Sequence, residues 1–271
     1  MDWLRRDNAP ISEKVWSAID DQVVDTARHV MAARRIADFE GPHGWNHVAS
    51  RLGSHRSLKS EKTTASLSVP DVILLTDIRA EFSLTWADIE AYERGAAVLP
   101  TDPAEDAARA VALAEDYLLF YGRDGAKGFL NGEGSPRLVL GDWNAPGQAD
   151  QDLLAAVEKL DSKGIQGPYD LVLDSAYYYA FFRATAEGGG YPVSRELKDV
   201  LGKVHRSHVI TGGALISMRG DDLIMTVGGD LTVGYRSHDR EAVHFFCVES
   251  VAGELVTPEA VCLLESKPAK K

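Results

Sequence analysis

The sequence predicts an α+β protein whose helices and strands are interleaved rather than arranged as a regular βα repeat. Long helical periodicities occupy residues 13 to about 35 and 104–121. From His208 onward strand follows strand, at 208–218, 222–227, 231–236, 242–250 and 260–264, punctuated by Gly and Asp. Helix and strand mix between these regions, with no internal repeat and no low-complexity linker. At 271 residues, 45% hydrophobic and 26% charged, the chain is long and apolar enough to bury a sizeable core.

Asn8-Ala9-Pro10-Ile11-Ser12 reads as a turn that ends in a helix N-cap at Ser12. Behind it Trp16, Ile19, Val23, Ala27, Val30 and Met31 recur at helical spacing, which predicts an amphipathic helix from residue 13 to about 35. Gly41-Pro42 and Gly44 interrupt any helix there. Residues 50–68 are polar and poor in large apolar side chains, so they predict either a mobile loop or an arm ordered by a neighbour. The stretch from Val69 to Phe82 is strand-rich, with Val72-Ile73-Leu74-Leu75 as its apolar run.

Asp102 and Pro103 suit N-cap and N1 of a long helix through Tyr121, closed by Gly122. A second helix spans about Gln151 to Lys163 and stops at Gly164. Tyr169-Asp170-Leu171-Val172-Leu173-Asp174 is a strand, and Ser175 to Ala186 an aromatic-rich helix that runs into Gly188-Gly189-Gly190. That glycine run follows a helix and precedes Tyr191-Pro192, the wrong order for a phosphate cradle, so it reads as a flexible loop tip.

Composition excludes several classes. A net charge of −12 disfavours a general nucleic-acid binder, which needs a basic face to displace counterions. Arg51, His55, Arg56, Lys59 and Lys62, set against Glu61, read as a solvated or intersubunit arm. Neither a signal-peptide h-region nor a run of 18 apolar residues is present, which predicts a cytoplasmic protein that spans no membrane. Cys247 and Cys262 read as two reduced thiols.

No Gly-x-Ser-x-Gly elbow, P-loop or dinucleotide fingerprint occurs, so no catalytic residues are expected. His43 and His47 stand four apart, but Pro42 and Gly44 argue against the helix that would converge them, and no metal site is assigned. His205 and His208 flank Arg206 without a third ligand and read as surface residues. Taken alone, the residues describe a cytosolic α+β protein with one orphan arm that suggests oligomerisation.

A set of motifs in register goes further. Leu4-Arg5-Arg6 precedes Ala9-Pro10-Ile11, Trp16 and Ile19-Asp20; Ala33-Arg34-Arg35, Asp38 and Gly41-Pro42-His43-Gly44-Trp45 follow. Glu93-Arg94-Gly95, Glu115-Asp116, Phe120 and Gly122 come next. Gly164-Ile165-Gln166-Gly167-Pro168-Tyr169, Gly190-Tyr191-Pro192 and Gly228-Gly229-Asp230-Leu231-Thr232-Val233-Gly234-Tyr235 complete the set. In these the chain resembles the encapsulins, linocin-like shell proteins of bacterial nanocompartments, over roughly residues 1–264.

The resemblance implies an HK97 phage-capsid-like fold with an N-terminal helix, an extended loop, and peripheral and axial domains. Residues 1–47 would be the lumen-facing helix and its connection, and 48–78 the extended intersubunit loop, with backbone partners from another chain. Residues 79–129 and 226–264 would form the peripheral domain with its spine helix, 130–225 the axial domain, and 265–271 a flexible tail. Relatives often carry a second glycine where this chain has Asp221. Some relatives bind flavin beside a tryptophan whose counterpart here is Ala87; no cofactor is therefore expected, and a flavin, if present, would lie near Trp86.

The implied function is a shell-forming subunit of an icosahedral nanocompartment that encloses cargo enzymes through a docked targeting peptide. Its partners would be copies of itself and a tagged enzyme, such as a dye-decolourising peroxidase or a ferritin-like protein. The alternative is a phage or prophage major capsid protein packaging DNA. The resemblance places the targeting peptide on Ala27, Met31, Arg34, Asp38 and Val233. The first four would share one stripe if the helix extends that far, although periodicity alone reads Ala27 and Met31 as core. It also places Glu187, Gly188, Gly189, Gly190 and Tyr191 at a fivefold pore, where repeated Glu187 carboxylates would favour cations.

Overall fold

The computed structural model describes residues 3–59, 65–123, 126–183 and 200–266. In chain order the elements begin with α1 (Glu13–Val30), β1 (Asp38–Glu40), β2 (Ala49–Leu58), β3 (Leu67–Leu74), β4 (Thr76–Thr85), α2 (Trp86–Glu93) and α3 (Asp102–Tyr121). Next are β5 (Gly122–Arg123), β6 (Ala126–Lys127), β7 (Arg137–Val139), α4 (Gln148–Asp161), β8 (Tyr169–Leu173) and α5 (Ser175–Arg183). They end with β9 (Leu201–Arg206), β10 (Gly213–Ser217), β11 (Leu223–Val227), β12 (Thr232–His238), β13 (Ala242–Leu255) and β14 (Val261–Glu265). The chain divides into two compact units. One takes in the chain up to His29, Glu40–Ala114 and Thr226–Glu254; the other takes in Val30–Phe39, Glu115–Met225 and the chain from Leu255 on.

In the first unit Ser12 caps α1 as its residue type predicts: Val15 N–H donates to Ser12 Oγ at 3.4 Å, and Trp16 N–H to the Ser12 carbonyl at 3.1 Å. The apolar stripe Val15, Trp16, Ile19 and Val23 is buried against Phe82, Leu84, Val233, Val243 and Phe245 of the sheet and Ala104, Ala108 and Val111 of α3. Trp16 meets Phe245 edge-on at 5.4 Å, and Phe82 stacks on Phe245 at 5.3 Å. Each such side chain contributes roughly 1.5–3 kcal/mol on burial. The sheet runs β1-β11-β13-β12, with β4 also paired to β13, antiparallel from Ala242↔Thr85 to Val251↔Thr76.

The orphan arm finds its ladder within itself. β2 and β3 pair antiparallel from Ala49↔Leu74 to Leu58↔Leu67, with a register shift between Arg51 and His55 around Gly53. The expectation of a loop, or of an arm whose backbone partners come only from another chain, is corrected for these residues. Leu58, Leu67, Val69, Val72 and Leu74 are exposed on both faces of this two-stranded hairpin, whose outer backbone edges also have no strand beside them among the described residues.

The second unit is a five-stranded mixed sheet of order β7-β14-β10-β8-β9, with β7/β14 and β8/β9 parallel and the remaining pairs antiparallel. Trp143, Leu153, Leu160, Leu171, Leu173, Phe181, Leu215 and Cys262 form its core. β9 and the short α2 were not legible as elements, and α4 begins three residues before the predicted Gln151. His205, read as a surface residue, is buried on β9: its Nε2 lies 2.9 Å from Oδ2 of Asp170 on β8. A carboxylate in an otherwise apolar strand needs such a partner. Gly122 ends α3 at φ 71°, and a Cβ there would lie 2.1 Å from the Ala126 carbonyl, so only glycine fits. Glu265, assigned to the tail, is the last residue of β14 and pairs with Arg137 at 2.6 Å; Lys267 to Lys271 lie outside the described residues.

Candidate functional site

The helix expected to reach about residue 35 stops at Val30. The cause is a competing acceptor. Asp116 takes the Ala32 N–H on both oxygens, at 2.9 and 3.0 Å, and the Ala33 N–H on Oδ1 at 2.9 Å. A 3-10 turn, Ala33–Arg35, follows. The predicted stripe of Ala27, Met31, Arg34 and Asp38 therefore does not lie on one helix: only Ala27 is on α1, Met31 is just past it, Arg34 is in the 3-10 turn, and Asp38 opens β1.

Arg34 is held by Glu115. Its Nε donates to both carboxylate oxygens at 3.0 and 2.8 Å, and Nη2 lies 2.7 Å from Oε2. Glu115 is 0% exposed, so the guanidinium neutralises a charge that water cannot reach. Beside it, burial pushes the Asp116 carboxyl up to about 7; the Ala33 and Ala32 N–H groups and Arg35 pull the other way, while Glu115 adds to the rise. The Arg34 guanidinium also sits 5.9 Å from the centre of the Phe39 ring, which is 44% exposed. Asp38 Oδ2 accepts the Asp221 N–H at 2.6 Å, and Asp221 adopts the left-handed conformation, φ 61°, that the missing second glycine would have supplied.

The three apolar candidates are buried within the chain: Ala27, Met31 at 5% exposure, and Val233 inside the first unit's core. The Val233 carbonyl accepts from Arg6 Nη1 at 3.4 Å, and Arg6 also grips Asp20 at 3.1 and 2.5 Å and lies 4.1 Å over the Trp16 ring. Arg6, Phe39, Glu115 and Asp116 had no assigned role from sequence. The pair Glu115-Asp116 carried a signal nonetheless, two acids inside the apolar run Ala112-Leu113-Ala114 to Leu118-Leu119-Phe120.

Trp86 opens α2, with its Nε1–H donating to the Asp239 carbonyl at 2.8 Å and its ring edge-on to His238 at 5.9 Å. Glu187, Gly188, Gly189, Gly190 and Tyr191 lie outside the described residues. Among the described residues no group of three or more His, Cys, Asp or Glu gathers as for a metal, and no helix is long and apolar enough to cross a membrane.

Two five-stranded sheets, a long helix, a capped N-terminal helix and a two-stranded hairpin are the parts of an HK97-like capsid fold. A virus-like particle from Pyrococcus furiosus superposes with a TM-score of 0.69 at 17% identity, covering 93% of this chain and 100% of that one. The capsid of Myoviridae phage XM1 superposes with a TM-score of 0.58 at 14% identity, covering 90% and 91%. At the level of sequence, residues 1–252 match the Linocin_M18 family, described as encapsulating protein for peroxidase. The type 1 encapsulin shell protein of Rhodospirillum rubrum is 36% identical over 275 residues, spanning 96% of this chain and 95% of that protein. The chain belongs to the encapsulin family, and it is a structural, shell-forming subunit of an icosahedral nanocompartment.

Proposed function

We propose that this subunit encloses a cargo enzyme in the cytoplasm by docking a peptide tag carried at the cargo's terminus. The docking surface centres on the turn from Met31 to Phe39, with Arg34 and Asp38 as its polar positions; Ala27 and Val233, also suggested by the resemblance, are buried. The observation that carries this reading is the Arg34–Phe39 pair, a guanidinium fixed by Glu115 beside an exposed aromatic ring. Such a pair offers donors to the carbonyls of an extended peptide and an apolar face to one of its side chains. Docking one Leu or Ile of the tag contributes roughly 1.5–3 kcal/mol.

A peroxidase is the favoured cargo, in keeping with the family's description, and a ferritin-like protein the runner-up. The hairpin β2/β3 engages a neighbouring subunit through its exposed apolar residues. Residues 130–225 serve as the axial domain.

Because Met31 and Val233 are buried, substitutions there report stability before docking, and the test uses Phe39→Asp. Shells of wild type and variant are expressed with tagged and untagged peroxidase, and cargo per shell is measured. The variant should form shells with about tenfold less tagged cargo. Equal occupancy in the two shells would refute this surface, and loading of untagged enzyme would refute the tag.

A further inference from the structure

Pro42 and Gly44 do prevent a helix at His43 and His47, yet the two imidazoles come together by another route. Their ring centres lie 4.6 Å apart with planes inclined at 41°. The backbone that holds them is pinned on both sides. His43 N–H donates to the Val227 carbonyl at 2.9 Å, Gly44 N–H to the Gly228 carbonyl at 2.7 Å, and His47 N–H back to the Gly44 carbonyl at 3.0 Å. The intervening Trp45 packs on Gly229 so closely that a Cβ there would stand 2.2 Å from the indole. Just beyond, Leu75 N–H donates to the Val48 carbonyl at 3.0 Å, closing the root of the hairpin.

Neither ring has a polar partner among the described residues, and each makes a ring contact with the other. His43 is exposed and His47 half-buried, so a small solute can reach both. We propose that His43 and His47 form a two-imidazole site for a borderline divalent transition-metal ion, of the Zn²⁺, Ni²⁺, Co²⁺ or Cu²⁺ class.

The spacing fits that chemistry. A metal–nitrogen bond of about 2.0–2.1 Å puts each ring centre roughly 3.2 Å from the ion, so two ligands at about 90–110° have ring centres about 4.5–5.2 Å apart. Neutral imidazole suits this class of ion rather than Mg²⁺ or Ca²⁺, which take oxygen. Among the described residues no third donor joins the pair, so the remaining coordination positions belong to water and the site is open and exchangeable. Preorganised backbone on both sides means that little ordering is needed on binding. A bound ion would clamp the two ends of the 43–47 turn immediately before β2 begins at Ala49.

The test uses assembled shells stripped with chelator, titrated calorimetrically with Zn²⁺ and spectroscopically with Co²⁺. The expected result is one ion per chain, with affinity reduced roughly tenfold or more in both His43→Ala and His47→Ala and unchanged in His55→Ala, an exposed histidine on β2. Absence of binding at sub-millimolar ion, or either of the two variants binding as tightly as wild type, would overturn the site. Should a variant fail to assemble, wild-type shells alone decide. Zn²⁺ should protect His43 and His47 together from diethylpyrocarbonate, and unchanged modification rates at either residue would overturn the proposal.

Discussion

Asp116 offers a stability test whose sign follows from its surroundings. Its carboxyl is buried, and the proton affinity rises from an ordinary 3.8 to about 7 because burial penalises the charged form more than the Ala33 and Ala32 N–H groups stabilise it. The folded state therefore holds a proton that the unfolded chain has released. Stability from this group is fully present below about pH 4 and is lost as the pH rises through about 7. At about 1.4 kcal/mol for each tenfold change in proton affinity, the ionised carboxylate costs the fold roughly 4 kcal/mol at pH 8.

Asp116→Asn removes that cost and keeps an acceptor for both amides, since Oδ1 alone receives Ala32 and Ala33 at 2.9 Å. Because that cost is already net of the amide bonds to the charged form, the gain at pH 8 should be about 4 kcal/mol, the whole pH-dependent loss of the native protein. Near pH 4 the gain should vanish, because the native carboxyl is then neutral as well. Thermal unfolding of wild-type and variant shells across pH 4–8 measures the difference, and hydrogen exchange at Ala32 and Ala33 locates it. Parallel pH profiles for the two proteins would refute the reasoning.

The neighbouring pair gives the opposite response. Arg34→Ala leaves Glu115 charged and buried, so shells should lose about 3–5 kcal/mol, and Arg34→Ala with Glu115→Gln should recover much of it. A double variant no more heat-stable than the single one would rule out the charge as cause. On the hairpin side, Val48 is 67% and Leu74 68% exposed, so Val48→Ser, Val72→Ser and Leu74→Ser together should leave the subunit folded while closed particles disappear from size-exclusion profiles and micrographs. Normal particles from the triple variant would show that the hairpin's apolar residues do not join subunits.

Much of the fold was legible because its signals are local. Ser12 as N-cap, the Trp16-Ile19-Val23 stripe, Gly122 at the end of the long helix and the strands from residue 223 on all depend on near neighbours in sequence. The short α2, capped by Thr85 Oγ1 accepting from Asp88 N–H at 3.2 Å, escaped notice because eight residues show little periodicity. The β2 half of the arm read as loop because Arg51, His55 and Arg56 leave it without an apolar alternation, whereas its pairing with β3 is a backbone property.

Composition, periodicity and a register of motifs thus determined the α+β class, the two long helices and the family. Tertiary structure alone decided where the first helix ends, since the acceptors that stop it, on Asp116, lie 84 residues from Ala32. It alone partnered His205 with Asp170, Arg34 with Glu115 and His43 with His47. Local preference is written in residues three or four apart; the pairing of a charge, or the convergence of two rings, depends on which distant segments the packed core brings together.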